Sequence, residues 1–126
     1  MAEKKTILIV DDEPDMVDWL KAFFEDNGYQ TKHALNGFDG FEMAESDIPD
    51  LITLDITMDK ESGIKMFRKL HDSDKTRNIP VVMVTGVSPE FKRFIESRKQ
   101  VDPPAAYFEK PVDQDELLKK ITELIG

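Results

Sequence analysis

Ile7-Leu8-Ile9-Val10-Asp11-Asp12 decides how this chain folds: four apolar residues in a row, then two adjacent carboxylates. The pattern returns as Leu51-Ile52-Thr53-Leu54-Asp55. A short apolar run without polar alternation reads as a strand buried on both faces, the kind found in parallel sheets. Parallel strands end together at one edge of a sheet, so Asp11, Asp12 and Asp55 are expected to meet in one cleft. Like charges about 4 Å apart repel by roughly 4 kcal/mol at the dielectric of a protein surface. Gathering three of them makes sense if the cleft holds a hard divalent cation, with a phosphoryl group above it.

Outward from these runs, strand-like and helix-like segments alternate. The first strand covers roughly residues 5–10. A helix follows, with Pro14 in its first turn, Asp12, Glu13 and Asp15 near its positive end, and Gly28 as its stop. Met16, Val17, Leu20, Phe23 and Phe24 repeat at helical spacing and form its buried stripe. Residues 29–34 read as a short, weaker strand. Asn36-Gly37 opens a second helix carrying Phe38, Phe41 and Ala44. The third strand is 50–54, and the third helix runs from about 62 to 72 with Ile64, Phe67 and Leu70 inward.

The fourth strand, 79–84, begins beside Pro80, where a missing N–H is tolerable. Ser88-Pro89 marks the start of a fourth helix, buried through Phe91, Phe94 and Ile95. Residues 105–108 are the last strand. Asp113 with Glu116 is a capping-box-like start to the final helix, whose stripe is Leu117, Leu118, Ile121, Leu124 and Ile125. Five strand–helix units imply an α/β fold, a parallel sheet covered by helices on both faces. Ligands bind such sheets beyond the carboxyl ends of the strands. Asp11 and Asp12 end the first strand, Asp55 the third and Thr85 the fourth, and Lys110 follows the fifth. That coincidence makes one edge of the sheet the expected site.

Composition narrows the classes. A chain of 126 residues fits one domain, here 1–126. Lys and Arg total 17 against 26 Asp and Glu, a net charge of −9, so no basic face exists at scale to neutralise nucleic-acid phosphates. Cysteine is absent, which excludes disulfides and thiol chemistry. The apolar runs are far too short to span a membrane, and Met1-Ala2-Glu3-Lys4-Lys5 does not begin a signal peptide. A cytoplasmic protein is expected. Met1 and the acidic charge favour a stand-alone chain over a piece of a larger one.

The chemistry follows from residue types. Three carboxylates suit Mg²⁺, with Mn²⁺ as a substitute. Thr85 adds a hydroxyl, and Lys110 a compact positive charge for phosphate oxygens. Nucleophilic carboxylate, metal, hydroxyl and lysine together suit phosphoryl transfer to an aspartate. Each residue alone has a blander reading: Asp12 as a helix cap, Thr85 as a strand-end hydroxyl, Lys110 as a solvated lysine, Tyr107 as packing. Their joint placement outweighs those readings.

With these residues in place, the chain resembles the receiver domain of two-component response regulators, the family that includes the chemotaxis regulator. The match lies in Asp11-Asp12, in Leu54-Asp55-Ile56-Thr57-Met58, in Gly63, in Thr85-Gly86, in Tyr107 and in Lys110-Pro111, in order along the whole chain. The resemblance implies a doubly wound five-stranded parallel sheet of flavodoxin-like order 2-1-3-4-5. It implies that Asp55 is the phosphoacceptor, fed by the histidine of a sensor kinase or phosphotransfer protein. Asp12 and Asp55 would bind Mg²⁺ through their carboxylates and Asp11 mainly through water, with the backbone carbonyl of Thr57 as another ligand. Lys110 and Thr85 would bind the phosphoryl group beside Gly86, Tyr107 would rotate inward, and the Lys110-Pro111 bond would be cis. The surface formed by the fourth helix, fifth strand and final helix would then be read by a downstream protein, and a phosphorylation-dependent homodimer is compatible. Such a domain is no enzyme beyond self-phosphorylation and slow self-dephosphorylation.

Several residues depart from the family pattern. Asp59 stands where proline is usual and reads as a solvated acid. Gly86 replaces a small alanine, and Pro103-Pro104 makes the approach to the fifth strand distinctive. Thr57 and Val87 occupy positions that tune phosphoryl lifetime in the family. His33 and His71 read as surface histidines, Lys92-Arg93 with Arg98-Lys99 as a solvated face, and Trp19 as packing outside the cleft. Metal titration is therefore expected to change its fluorescence little. Two rival functions remain. A haloacid-dehalogenase-type aspartyl phosphatase needs a second acid two residues after the nucleophile, where this chain has Thr57. A flavodoxin-like flavin binder would place an anionic phosphate against Asp11 and Asp12, which repel it.

Overall fold

The computed structural model describes residues 4–55, 60–86 and 105–126, apart from the side chains of 60–64 and 85. Its strands are β1 (Thr6–Val10), β2 (Gln30–Ala34), β3 (Leu51–Leu54), β4 (Val81–Thr85) and β5 (Ala106–Glu109). All pair in parallel, in the order β2-β1-β3-β4-β5. This is the doubly wound, flavodoxin-like arrangement. The helices are α1 (Pro14–Asp26), α2 (Gly37–Ser46), α3 (Lys60–Asp72) and a C-terminal helix (Gln114–Ile125). The expected fourth helix from Ser88-Pro89 lies outside the described residues. Among the described residues no helix is long and apolar enough to cross a membrane.

The unbroken apolar runs now have their reason. Alternate residues of each strand enter two separate cores. Leu8, Val10, Ile52, Leu54, Val81 and Met83 pack against Ala44 of α2 and Met66, Phe67 and Leu70 of α3. Ile7, Ile9, Leu51, Val82 and Val84 face the other way, toward Val17, Leu20 and Phe24 of α1 and Leu117 and Ile121 of the C-terminal helix. Each fully buried Leu, Ile or Phe contributes roughly 1.5–3 kcal/mol. A polar residue in either run would therefore be felt at once.

Local chemistry sets the helix ends. Gly28, at φ +93°, closes α1: its N–H donates to the Glu25 carbonyl, and Tyr29 N–H reaches back to Phe24 O at 3.1 Å. That paired closure requires a left-handed residue, which glycine adopts freely. Asn36 Oδ1 accepts from Asp39 N–H at 2.8 Å at the start of α2, and Asp113 Oδ1 accepts from Glu116 N–H at 3.1 Å before the C-terminal helix.

Three expectations change. Phe38 does not join the buried face of α2 but is 62% exposed. The helix presents Gly37, Gly40 and Ala44 to the sheet instead. A Cβ on Gly40 would lie 2.9 Å from Val10 Cγ2 and 3.1 Å from the Met66 side chain. The backbone approaches too closely for large inward residues, and Phe38 is turned out beneath the Lys69 ammonium, 5.8 Å from its ring. Secondly, Met66 joins Phe67 and Leu70 in the core although the helical reading passed over it; the Ile64 side chain is not described. Finally, β4 starts at Val81, two residues late, because Ile79 N–H is still engaged by the Thr76 carbonyl in the preceding turn. Pro80 serves the sheet only through its carbonyl, which accepts from Ile52 N–H.

Thr53 interrupts the β3 run and is 1% exposed. By strand alternation it faces the α1 side with Leu51. Its Oγ1 is the one buried side-chain polar atom without a hydrogen-bond partner among the described residues. A buried hydroxyl left unpaired costs about 1–3 kcal/mol. Thr53→Val keeps the shape and removes that cost, so chemical denaturation is expected to show a gain of about 1–2 kcal/mol. A loss of stability would mean that the hydroxyl is satisfied after all.

Candidate functional site

Strand register brings the site together. Val10 pairs with both Ala34 and Leu54, so Asp11 and Asp55 emerge side by side. Their backbones are pinned by the last rungs of the sheet, Asp11 N–H to Ala34 O at 3.2 Å and Asp55 N–H to Val10 O at 3.0 Å. Both carboxylates are sunk, with side chains 2% and 1% exposed. Asp12 stays exposed. Thr85 pairs with Glu109, and the next residue of that chain is Lys110, which reaches back over the cleft. Its Nζ donates to Asp11 Oδ2 at 2.9 Å, Asp55 Oδ2 at 2.9 Å and Glu13 Oε1 at 3.0 Å. An ammonium has three N–H bonds, and each has a carboxylate. The Lys110-Pro111 peptide bond is cis.

The charges answer to this packing. Burial works against the Lys110 ammonium, yet hydrogen bonds to Asp55, Asp11 and Glu13 outweigh it and hold its pKa above the ordinary lysine value. It stays charged well into alkaline pH. Burial raises the Asp11 carboxyl, with Asp55 adding to the rise, while the Glu13 N–H and Lys110 only partly offset it. Tyr107 on β5 is half-buried against the α2–α3 core, and burial followed by the Glu109 charge raises its phenol. Asp11, Asp12, Glu13 and Asp55 each offer a carboxylate oxygen within 4.8 Å of the others. All four donors are hard oxygens, the set that suits Mg²⁺ or Mn²⁺.

Of the expected site residues, the structure brings together Asp11, Asp12, Asp55 and Lys110. Gly86 is exposed just past β4, and the Thr85 backbone ends that strand, its side chain not described. Thr57, Asp59, Val87 and Pro103-Pro104 lie outside the described residues. Glu13 is the residue that sequence reasoning missed as part of the cluster. Its position at the positive end of α1 accounts for it locally without its contact to Lys110. Its place directly after Asp11-Asp12 was the available signal, because the turn that lets Glu13 N–H reach Asp11 Oδ1 at 2.9 Å also brings its side chain back to Lys110.

Trp19 is also nearer than expected. With Met16, Lys110, Pro111 and Val112 it lines a cavity of about 170 Å³. His33 lies on β2 in a separate groove, and the His71 ring packs edge-on to Phe67 with Nδ1 3.1 Å from the Phe67 carbonyl. Neither enters the acidic cluster.

Over residues 7–122 the chain matches the response regulator receiver domain family. It belongs to that family. Protein PilH of Pseudomonas aeruginosa is 36% identical over 120 residues, covering 95% of this chain and 97% of the relative. The CheY-like receiver domain protein of Methanospirillum hungatei JF-1 superposes with a TM-score of 0.82 at 30% identity, over 96% of this chain and 93% of that one. The receiver domain of sensor histidine kinase PA1611 from Pseudomonas aeruginosa PAO1 gives a TM-score of 0.85 at 23% identity, over 98% and 99% of the two chains. That structure holds a magnesium ion coordinated in its active site cleft. The chain is thus a phospho-accepting receiver of two-component signalling, a family of phosphorylation-dependent switches whose members interact with histidine kinases and downstream effectors.

Because Asp11 titrates above its ordinary value, its ionised form works against the metal-free fold. For an acid with a raised pKa, stability falls as pH climbs from the unfolded value through the folded one. Asp11→Asn keeps an acceptor for Glu13 N–H and removes the charge. It is expected to raise the thermal midpoint at neutral pH by about 3–6 °C, the shift that ~1 kcal/mol produces in a domain this size. The difference should close below the ordinary carboxylate range. A lower midpoint for the variant at neutral pH would contradict this assignment.

Proposed function

We propose that residues 1–126 form one cytoplasmic receiver domain acting as a Mg²⁺-dependent phosphorylation switch, with Asp55 as phosphoacceptor. The observation that carries the reading is the Lys110 ammonium bridging Asp11 and Asp55, 2.9 Å from each, where strands β1, β3 and β5 end. The donor is a phosphohistidine on a sensor histidine kinase or a phosphotransfer protein. An Asp55 carboxylate oxygen attacks the phosphorus, the P–N bond breaks, and the electron pair returns to the imidazole. The side chain is 1% exposed and anchored by a strand, so the nucleophile is held in place before the donor arrives.

Asp11, Asp12 and Asp55 would hold the ion, with the Thr57 carbonyl completing the protein's share. A bound Mg²⁺ supplies charge neutralisation for the phosphoryl oxygens. Lys110 offers the transferred group a fixed positive charge, Thr85 a hydroxyl and Gly86 room beside it. Phosphorylation replaces the single carboxylate charge of Asp55 with a group of roughly −1.5 to −2 charge and three phosphoryl oxygens. Lys110 and Thr85 follow that charge, Tyr107 turns inward, and the surface of the expected fourth helix, β5 and the C-terminal helix changes for a downstream protein. The protein's own turnover is limited to self-phosphorylation and slow self-dephosphorylation.

Incubation with a small acyl phosphate and Mg²⁺ is expected to add one phosphoryl group, seen by intact mass, and Asp55→Asn is expected to abolish the addition. An unchanged mass shift in the variant would move the acceptor elsewhere. Asp12→Ala is expected to weaken Mg²⁺ binding at least tenfold, or about 1.4 kcal/mol. Calorimetry measures it directly. Unaltered affinity would remove Asp12 from the ligand set.

A further inference from the structure

Lys110 holds one oxygen on each of two carboxylates of the candidate metal cluster. Its ammonium lies 2.9 Å from Asp11 Oδ2 and from Asp55 Oδ2, and both carboxylates belong to the group of four whose donor oxygens gather within 4.8 Å. A cation that takes those two oxygens must loosen the lysine from them. The third contact differs in kind. Glu13 is 63% exposed and bonds Nζ from the solvent side at 3.0 Å. Its placement is fixed by the loop: Glu13 N–H donates to Asp11 Oδ1, and its carbonyl accepts Val17 N–H in the first turn of α1. Glu13 therefore stands with one oxygen on the lysine, not free to serve as a neutral bystander.

Two roles are open to such a carboxylate, and they have opposite signs. As one more negative charge beside the cation, it would strengthen metal binding. As the third partner of the ammonium, it would steady the competitor and weaken metal binding. The saturated geometry of Nζ favours the second. Resting on the reading of this cleft as a Mg²⁺ site, we propose that Glu13 is a positioning residue for Lys110. Its carboxylate steadies the ammonium against Asp11 and Asp55 in the resting protein and so sets how readily a divalent cation takes them.

The test is magnesium chloride titrated calorimetrically into wild type, Glu13→Gln, Lys110→Met and the double variant. An exposed ion pair is modest in strength, so Glu13→Gln is expected to tighten Mg²⁺ binding about two- to fivefold. With methionine at position 110 the same substitution is expected to leave binding unchanged or weaken it, since no lysine remains to be released and one negative charge is lost. A purely structural role for Glu13 would not depend on residue 110 in this way. Equal effects in both backgrounds, or weaker binding by Glu13→Gln in wild type, overturn the proposal. Glu13→Asp keeps the charge but withdraws it by one methylene, and needs no change at Lys110. Tightening supports positioning through reach, while wild-type affinity overturns it. Failure of wild type to bind Mg²⁺ would instead overturn the reading of the cleft itself, and this inference with it.

Discussion

Two carboxylates buried side by side repel each other, and the site exists because one ammonium lies between them. Asp11 and Asp55 offer oxygens within 4.8 Å of each other, a repulsion of roughly 3 kcal/mol at an effective dielectric near 20. Lys110 sits 2.9 Å from each, giving two attractions of roughly 6 kcal/mol apiece on the same scale. The attractions win over the repulsion, but all three groups also lose water. Each buried ion costs several kcal/mol of solvation. The balance is close enough that the Asp11 carboxyl still titrates high despite its lysine. An arrangement this finely offset is a poor way to make a protein stable and a good way to make it responsive to a new charge.

That offset depends on position, and position comes from the sheet. The side chains are short, so the backbones of β1 and β3 must end level, which their register ensures by pairing Val10 with Leu54. The register is in turn locked by the two cores. Slipping either strand by one residue would exchange the residues facing α1 for those facing α3. Lys110 follows directly on β5, whose Ala106 and Phe108 pack on the core shared by α1 and the C-terminal helix, and it shares a small cavity with Met16, Trp19, Pro111 and Val112. Burial energy spread through both cores is what keeps the ions from flying apart.

Much of this was legible in the sequence because it follows from patterns with a single period. Unbroken apolar runs reported two-sided burial, and carboxylates at their ends reported a cleft. Gly28, Asn36 and Asp113 marked helix ends because their roles are local. What escaped depended on distances between elements. Phe38 has the right spacing for a buried stripe, but only the close approach of α2 to Val10 and Met66 turns it outward. Glu13 fits a helix start so well that its second contact, with a residue 97 positions away, leaves no local trace.

The saturation of Lys110 has a mechanical consequence on the proposed reading. Its three N–H bonds already meet three carboxylates, so a phosphoryl group on Asp55 cannot gain the lysine without another partner losing it. Replacing a single carboxylate charge with a phosphoryl group of roughly −1.5 to −2 makes that exchange favourable, because the differential affinity of the ammonium for the two states supplies the bias. Moving Nζ draws on the end of β5, whose Phe108 and Ala106 pack on the core shared by α1 and the C-terminal helix. On the proposed reading, a charge added at one strand end would be felt first at the lysine and, through it, at the end of β5.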